Sequence, residues 1–316
     1  MKKILSLLLV LTMVLVAFAA CGPQNDGKTP DNTDKTPVEK DYTLSIGVVV
    51  TESLAKSKLT ETIATIVTDA DGKIVVCRLD SVDYTAQYGE DGALNTTAPT
   101  TKVTLGDNYG AMPAGTWAAQ GAALEKYVTG KTQAEVAAIA LEGGKATDAD
   151  LVASCSIAIT DLLKAIDNAF KSEHKITFKT AATDLKVGLS MGATVKDSSK
   201  DESKNVKLTA DYAAAVLADG KVVAAILDSV EPELKGINAE GAATELAYSG
   251  TKREQGDNYG AMPAGTWYVQ ADAYVKAAIG KTADDIATLA SEGVAGCTIY
   301  AGGYKAVIET AVKTAR

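Results

Sequence analysis

Gly106-Asp107-Asn108-Tyr109-Gly110-Ala111-Met112-Pro113-Ala114-Gly115-Thr116-Trp117 is matched residue for residue by a second stretch, Gly256 to Trp267. Around this dodecamer the match loosens but continues. Leu44-Ser45-Ile46-Gly47 pairs with Leu185-Lys186-Val187-Gly188, and Asp71-Gly72-Lys73-Ile74-Val75 with Asp219-Gly220-Lys221-Val222-Val223. Gly130-Lys131-Thr132 pairs with Gly280-Lys281-Thr282, and Ser154-Cys155-Ser156-Ile157 with Gly296-Cys297-Thr298-Ile299. The chain therefore reads as two tandem repeats of one domain, 42–180 and 181–316. About 140 residues is an ordinary domain size, large enough to bury a core of its own. Two copies are too few for a solenoid.

Each copy shows strands first and helices after. Leu44–Val50, Thr62–Thr68 and Lys73–Leu79 are β-branched runs, the last two joined by the hairpin signal Asp69-Ala70-Asp71-Gly72. The second copy offers Ala213–Leu217, then Asp219-Gly220, then Lys221–Leu227. Pro113 suits a first helical turn, after which Trp117, Leu124 and Val128 share one face. Gly130 ends that helix, and Thr132-x-x-Glu135 makes a capping box for the next. Leu162–Phe170 and Tyr304–Val312 close the copies as amphipathic helices. The expected class is α+β, each repeat an antiparallel sheet with packed helices.

The N-terminal residues predict location. Lys2 and Lys3 precede an apolar run from Ile4 to Ala20 broken only by Ser6 and Thr12, which reads as a secretory leader over 1–20. Phe18-Ala19-Ala20-Cys21 resembles the lipobox of bacterial lipoproteins, with Phe18 standing where that box prefers Leu. The resemblance implies cleavage before Cys21 and a lipid on its thiol, anchoring the protein at the extracytoplasmic face of the cell membrane. The stretch 21–41 is rich in Pro, Asn, Asp, Gly, Lys and Thr and reads as a disordered tether reaching about 25 Å. Losing the leader removes two lysines and takes the formal charge from −9 to −11, a poor balance for nucleic acid, which calls for clustered Lys and Arg. Cys77, Cys155 and Cys297 are odd in number and lie in apolar contexts, so they read as buried thiols rather than a disulfide framework. The single histidine, His174, lies between the copies and reads as a solvated linker residue.

Two motifs could carry chemistry. Asp150-Leu151-Val152-Ala153-Ser154-Cys155-Ser156 and Glu292-Gly293-Val294-Ala295-Gly296-Cys297-Thr298 resemble the D-x-x-S-G-A-T signature of the FMN-binding domain of Rnf and sodium-pumping quinone reductase subunits. The resemblance implies FMN joined by a flavin transferase, through its phosphate, to Thr298 or Ser156. It further implies electron exchange with membrane redox proteins. Gly296 and Cys297 supply the small neighbourhood that a phosphate needs, and Asp150 and Glu292 hold the acidic first position. The second copy departs at Glu292, Ala295 and Cys297, and in the first Ser154 stands for the glycine and Ser156 for the acceptor threonine. Cys155, Ile157 and Ile159 also alternate as a half-buried strand does, with Thr160-Asp161 capping the next helix. On that reading Ser156 and Thr298 merely face solvent.

The dodecamer is the other motif. Asp107-Asn108-Tyr109-Gly110 is turn chemistry, but a turn does not demand Tyr109 with Trp117 or Tyr259 with Trp267. Such a pair can wall a flavin ring or a sugar, or place Trp in the core with Tyr on the rim. The repeated Gly-Lys-Thr is a helix cap and not a phosphate loop, because Glu125 and Val275 stand where that loop needs glycine. The leading expectation is an FMN-carrying electron-transfer lipoprotein. The alternative is a non-catalytic surface module for cell-wall glycan or a protein partner. A hydrolase lacks a base repeated in both halves.

Overall fold

The β-branched runs form long antiparallel ladders in the computed structural model, which describes residues 38–316 apart from 111, 201–202, 261, 291 and 300. The leader 1–20, the anchor Cys21 and the tether up to 37 lie outside the described residues. The last two tether residues belong instead to the first strand, β1 (Lys40–Ser53). β2 (Lys58–Asp69) and β3 (Ile74–Thr85) follow as a meander, and β4 (Ile176–Thr180) pairs with the other edge of β1, giving the order β3-β2-β1-β4. A second sheet is built from β5 (Lys186–Asp197), β6 (Val206–Ala218) and β7 (Lys221–Val230), with short β8 (Glu233–Lys235) and β9 (Glu245–Ala247) extending it. The β2–β3 turn holds because Asp69 Oδ1 accepts the N–H groups of Asp71 and Lys73 at 3.0 and 2.9 Å. The β6–β7 turn is tighter, with Asp219 and Gly220 both at positive φ, as a two-residue hairpin requires.

Alternation along each strand decides what packs on each face. On β2, Leu59, Ile63 and Val67 point to one side, and Ala64 and Ile66 to the other. On β6, Leu208, Ala210, Tyr212, Ala214 and Val216 take one side, and Ala213, Ala215 and Leu217 the other. The first set from each strand meets in one apolar cluster, so the two sheets face each other across a shared core. The second sets lie under helices: α1 (Trp117–Val128) and α2 (Thr160–Lys171) on the first sheet, α3 (Trp267–Lys276) and α4 (Gly302–Lys313) on the second. The expectation of a private core for each half is met only on the helix sides. The described residues belong to one compact unit.

Glycines let two helices lie directly on the sheets. A Cβ at Gly47 would stand 2.1 Å from the Ala165 carbonyl oxygen of α2, and one at Gly188 1.7 Å from that of Ala311 in α4. The sheets also close on one another laterally, β3 running beside β5 and β1 beside β7. Arg78 Nε crosses the first seam to the Val187 carbonyl at 3.0 Å, and Arg316 pairs its main chain with Val187 there.

Three local expectations need correcting. The first dodecamer helix begins at Trp117, with Thr116 as its cap accepting from the Ala119 N–H at 3.1 Å, and not at Pro113, which lies in the preceding turn. Residues 155–159 form no strand. They pass through a loop, and α2 then starts at Thr160 without a side-chain cap. His174 is half-buried and its ring stands 6.1 Å from that of Tyr268, so it is no solvated linker.

Candidate functional site

The cap of each dodecamer helix places a glutamine one turn further in, at Gln120 and Gln270, both sealed from solvent. Gln270 Nε2 donates to the Gly265 carbonyl at 3.0 Å, which aims its Oε1 at the loop 296–299. That oxygen accepts from Thr298 N at 2.8 Å, Thr298 Oγ1 at 2.9 Å and Ile299 N at 3.2 Å. Gln120 does the same in the first half. It donates to the Gly115 carbonyl at 2.8 Å and accepts from Ser156 N, Ser156 Oγ and Ile157 N at 2.7, 3.1 and 3.2 Å. Thr298 and Ser156 therefore meet the dodecamer through a buried amide. Two adjacent N–H groups and a hydroxyl converging on one oxygen is the donor set an anion would want, and a side chain of this chain fills it.

The loops around those hydroxyls are built by small residues. Gly296 sits at a φ of +80°, and a Cβ there would come within 3.2 Å of Ala273. Cys297 and Cys155 are buried beside the hydroxyls, and burial pushes both thiols up. Asp150 lies exposed in the single turn Ala149–Val152 with its N–H on Asp148, and Glu292 is exposed. Among the described residues neither carboxylate hydrogen-bonds Ser156 or Thr298.

The aromatic pairs are committed as well. Trp267 is 2% exposed and Trp117 6%, with Tyr259 and Tyr109 half-buried at their edges. Lys252 Nζ lies 5.0 Å from the Tyr259 ring, 5.4 Å from Trp267 and 6.0 Å from Tyr304, a cation in an aromatic cage. Glu231 closes the cage, at 2.8 Å from Lys252 and 3.1 Å from the Tyr259 hydroxyl. Trp267 Nε1 donates to the Tyr304 hydroxyl at 3.0 Å. Burial pulls the Lys252 ammonium down, but Tyr304 and Glu231 overcome it and hold it above its ordinary value. In the first half Lys102 lies 5.2 Å from the Tyr109 ring and 5.7 Å from Trp117, and Asp83 receives Lys102, Lys58, Thr60 and Tyr109 at 2.8–3.1 Å. Burial pushes Asp83 up, yet Lys102 with those hydrogen bonds holds it below the usual carboxylate range. The stacking faces expected to be free for a ligand thus carry a lysine of the chain itself.

Among the exposed residues of the dodecamer, the polar side chains are Asp107 with Asn108, and Asp257 with Asn258. Among the described residues their side chains make no hydrogen bond or ion pair, whereas Gly106, Gly110 and Gly115 are needed for positive φ and Trp117 for the core. The glutamines and caged lysines were missed from the sequence although the signal was present. Thr101-Lys102 and Thr251-Lys252 precede the identical stretch, and Gln120 and Gln270 follow it, at matching offsets. No family model, no curated protein and no solved structure matches this chain.

Proposed function

We propose that this chain is a lipid-anchored extracytoplasmic protein in which two tandem copies of one α+β module are fused through a shared core, acting as a non-catalytic binder of cell-wall glycan. The observation that carries this reading is the pair of exposed loops, each offering the same aspartate and asparagine with no structural employment. Planar carboxylates and amides hydrogen-bond adjacent sugar hydroxyls, and two copies on one rigid body give avidity on a repeating polymer. The lipid on Cys21 and the tether would hold the module within reach of the wall. The repeated Gln clamps and Lys cages support it by fixing both loops without using their exposed side chains. The test is co-sedimentation of the lipoprotein with purified wall glycan, compared with a variant carrying alanine at all four loop positions. Wild-type binding lost in the variant supports the reading, and equal binding removes it.

A second reading is FMN joined covalently to Thr298. One observation favours it: Thr298 is exposed, and a hydroxyl that donates to Gln270 keeps its lone pairs. Against it, Gln270 already holds the donors that a phosphate would use. Intact mass and visible absorption of the native lipoprotein test it. An unmodified, colourless protein ends this reading.

A further inference from the structure

The two exposed loops hang from matching anchors on the sheets. Asp80 Oδ1, on β3, accepts from its neighbour Ser81 N at 2.8 Å and from Val103 N at 3.1 Å. Asp228 Oδ1, on β7, accepts from Ser229 N at 2.8 Å and from Arg253 N at 3.2 Å. Val103 and Arg253 lie in the single-turn helices Lys102–Leu105 and Lys252–Gln255, which carry the caged lysines. Those helices run directly into the turns Gly106–Tyr109 and Gly256–Tyr259. Among the described residues, no other main-chain group of either short helix hydrogen-bonds a strand. Behind each turn Tyr109 is tied to Asp83 and Tyr259 to Glu231, both at 3.1 Å. Each loop is thus pinned on both sides, by a buried aspartate before it and a tyrosine hydroxyl after it.

Asp80 is 5% exposed and Asp228 6%. Thr101 and Lys102 face Asp80 from its short helix, and Arg78, Glu125 and Arg316 line the same crevice. Thr251 and Arg253 face Asp228, with Tyr212 and Tyr248 on its core side and His174 and Glu254 along the crevice beyond. Burial opposes the charged carboxylates while the N–H groups favour them, and the balance puts both carboxyls at about 6. A charged acceptor holds an N–H about twice as strongly as a neutral one. The charge that is costly to bury therefore tightens the bond on which each loop hangs.

We propose that Asp80 and Asp228 are positioning residues for the glycan loops, each charged carboxylate fixing the short helix from which Asp107-Asn108 or Asp257-Asn258 is presented. The proposal rests on the glycan reading for its ligand and on the two clamps for its geometry. Acidification neutralises both clamps and loosens both loops together, so the chain releases glycan as its surroundings acidify.

The experiment measures co-sedimentation of the native protein with purified wall glycan at about pH 7.5 and about pH 5. At the same two values, without glycan, it measures the exchange protection of the Val103 and Arg253 amides. The comparison is a variant carrying both Asp80→Asn and Asp228→Asn. Asparagine keeps an oxygen acceptor of the same shape and cannot ionise, so the fold is retained, and circular dichroism checks it. The variant also keeps Asp107 and Asp257, so any response arising in the loops themselves survives in it. Native affinity should fall about tenfold on acidification, with protection falling in parallel, while the variant stays at the lower level throughout. A flat native profile, or a variant that keeps the native pH response, would overturn the proposal. Should glycan bind at neither pH, the glycan reading fails and the amides alone decide. Protection that responds to pH only in the native protein upholds the clamps, and the same response in both proteins overturns them.

Discussion

Gln270 Oε1 lies 2.9 Å from Thr298 Oγ1 and 2.8 Å from the same residue's main-chain nitrogen, so one buried amide fixes the loop that the flavin signature resembles. Ser156 stands in the same relation to Gln120. A hydroxyl held this way locks a loop onto a helix. That is a structural role, and it accounts for a small hydroxyl residue at both positions.

Replacing the amide should therefore cost more than replacing the hydroxyl. Gln270→Ala strands the Thr298 and Ile299 N–H groups, a loss of about 2–3 kcal/mol, whereas Thr298→Ala removes one hydrogen bond, about 1 kcal/mol. Urea unfolding of both variants ranks them, and the reverse order would show that the loop is not held as described.

The caged lysine gives a spectroscopic prediction. Lys252→Met keeps the packing but leaves Glu231 without its closest cation, and should destabilise by about 3 kcal/mol. It should also shift the emission of Trp267, one of only two tryptophans. Lys102→Met should do the same at Trp117. Unchanged emission in both would mean that the lysines do not sit over the rings.

Gly47→Ala and Gly188→Ala should each push a helix off its sheet. The built methyl meets backbone oxygens, which cannot rotate away, so each should cost about 3 kcal/mol or more. Thermal unfolding reads this directly, and a variant as stable as the parent would contradict the close packing of α2 and α4.

Much of this architecture was legible. Apolar and β-branched runs located β1, β2, β3, β6 and β7, though short of their true ends, but not β5, and helical periodicity found α2 and α4. The shared core was not legible, because a strand such as β2 with apolar residues on both sides shows that two faces are covered, without showing by what. The helix start at Trp117 was missed because Pro113 fits a helix and a turn equally, and Thr116 was overlooked as a cap. The site was misread for a related reason. Tyr109, Trp117 and their counterparts looked free for a ligand because their occupant, a lysine, lies outside the identical dodecamer. The strand expected at 155–159 failed because Gln120, distant in sequence, takes up the N–H groups a ladder would have used.

Three buried carboxyls should each contribute less stability as pH rises through the acid range. Burial raises the Asp80 and Asp228 carboxyls to about 6 and Glu61 well above its ordinary value, with Asp211 adding to the rise at Glu61. A group whose folded value is raised binds more protons folded than unfolded. Its contribution is full below about pH 4 and is lost through about pH 6 for the two aspartates, up to about 3 kcal/mol each. Glu61, with both oxygens unpartnered, extends the decline upward. Glu61→Gln should raise the melting temperature at pH 7.5 and change it little at pH 4.5. An equal effect at both values would show that Glu61 is not buried as a neutral acid.

The binding reading rests on Asp107 with Asn108 and Asp257 with Asn258. Its most direct test is the affinity of the native protein for purified wall glycan, measured with alanine at one loop, at the other, and at both. Loss of either loop should weaken binding by about 100-fold through lost avidity, and loss of both should abolish it, with the fold intact. Undiminished binding when all four side chains are gone would contradict the account.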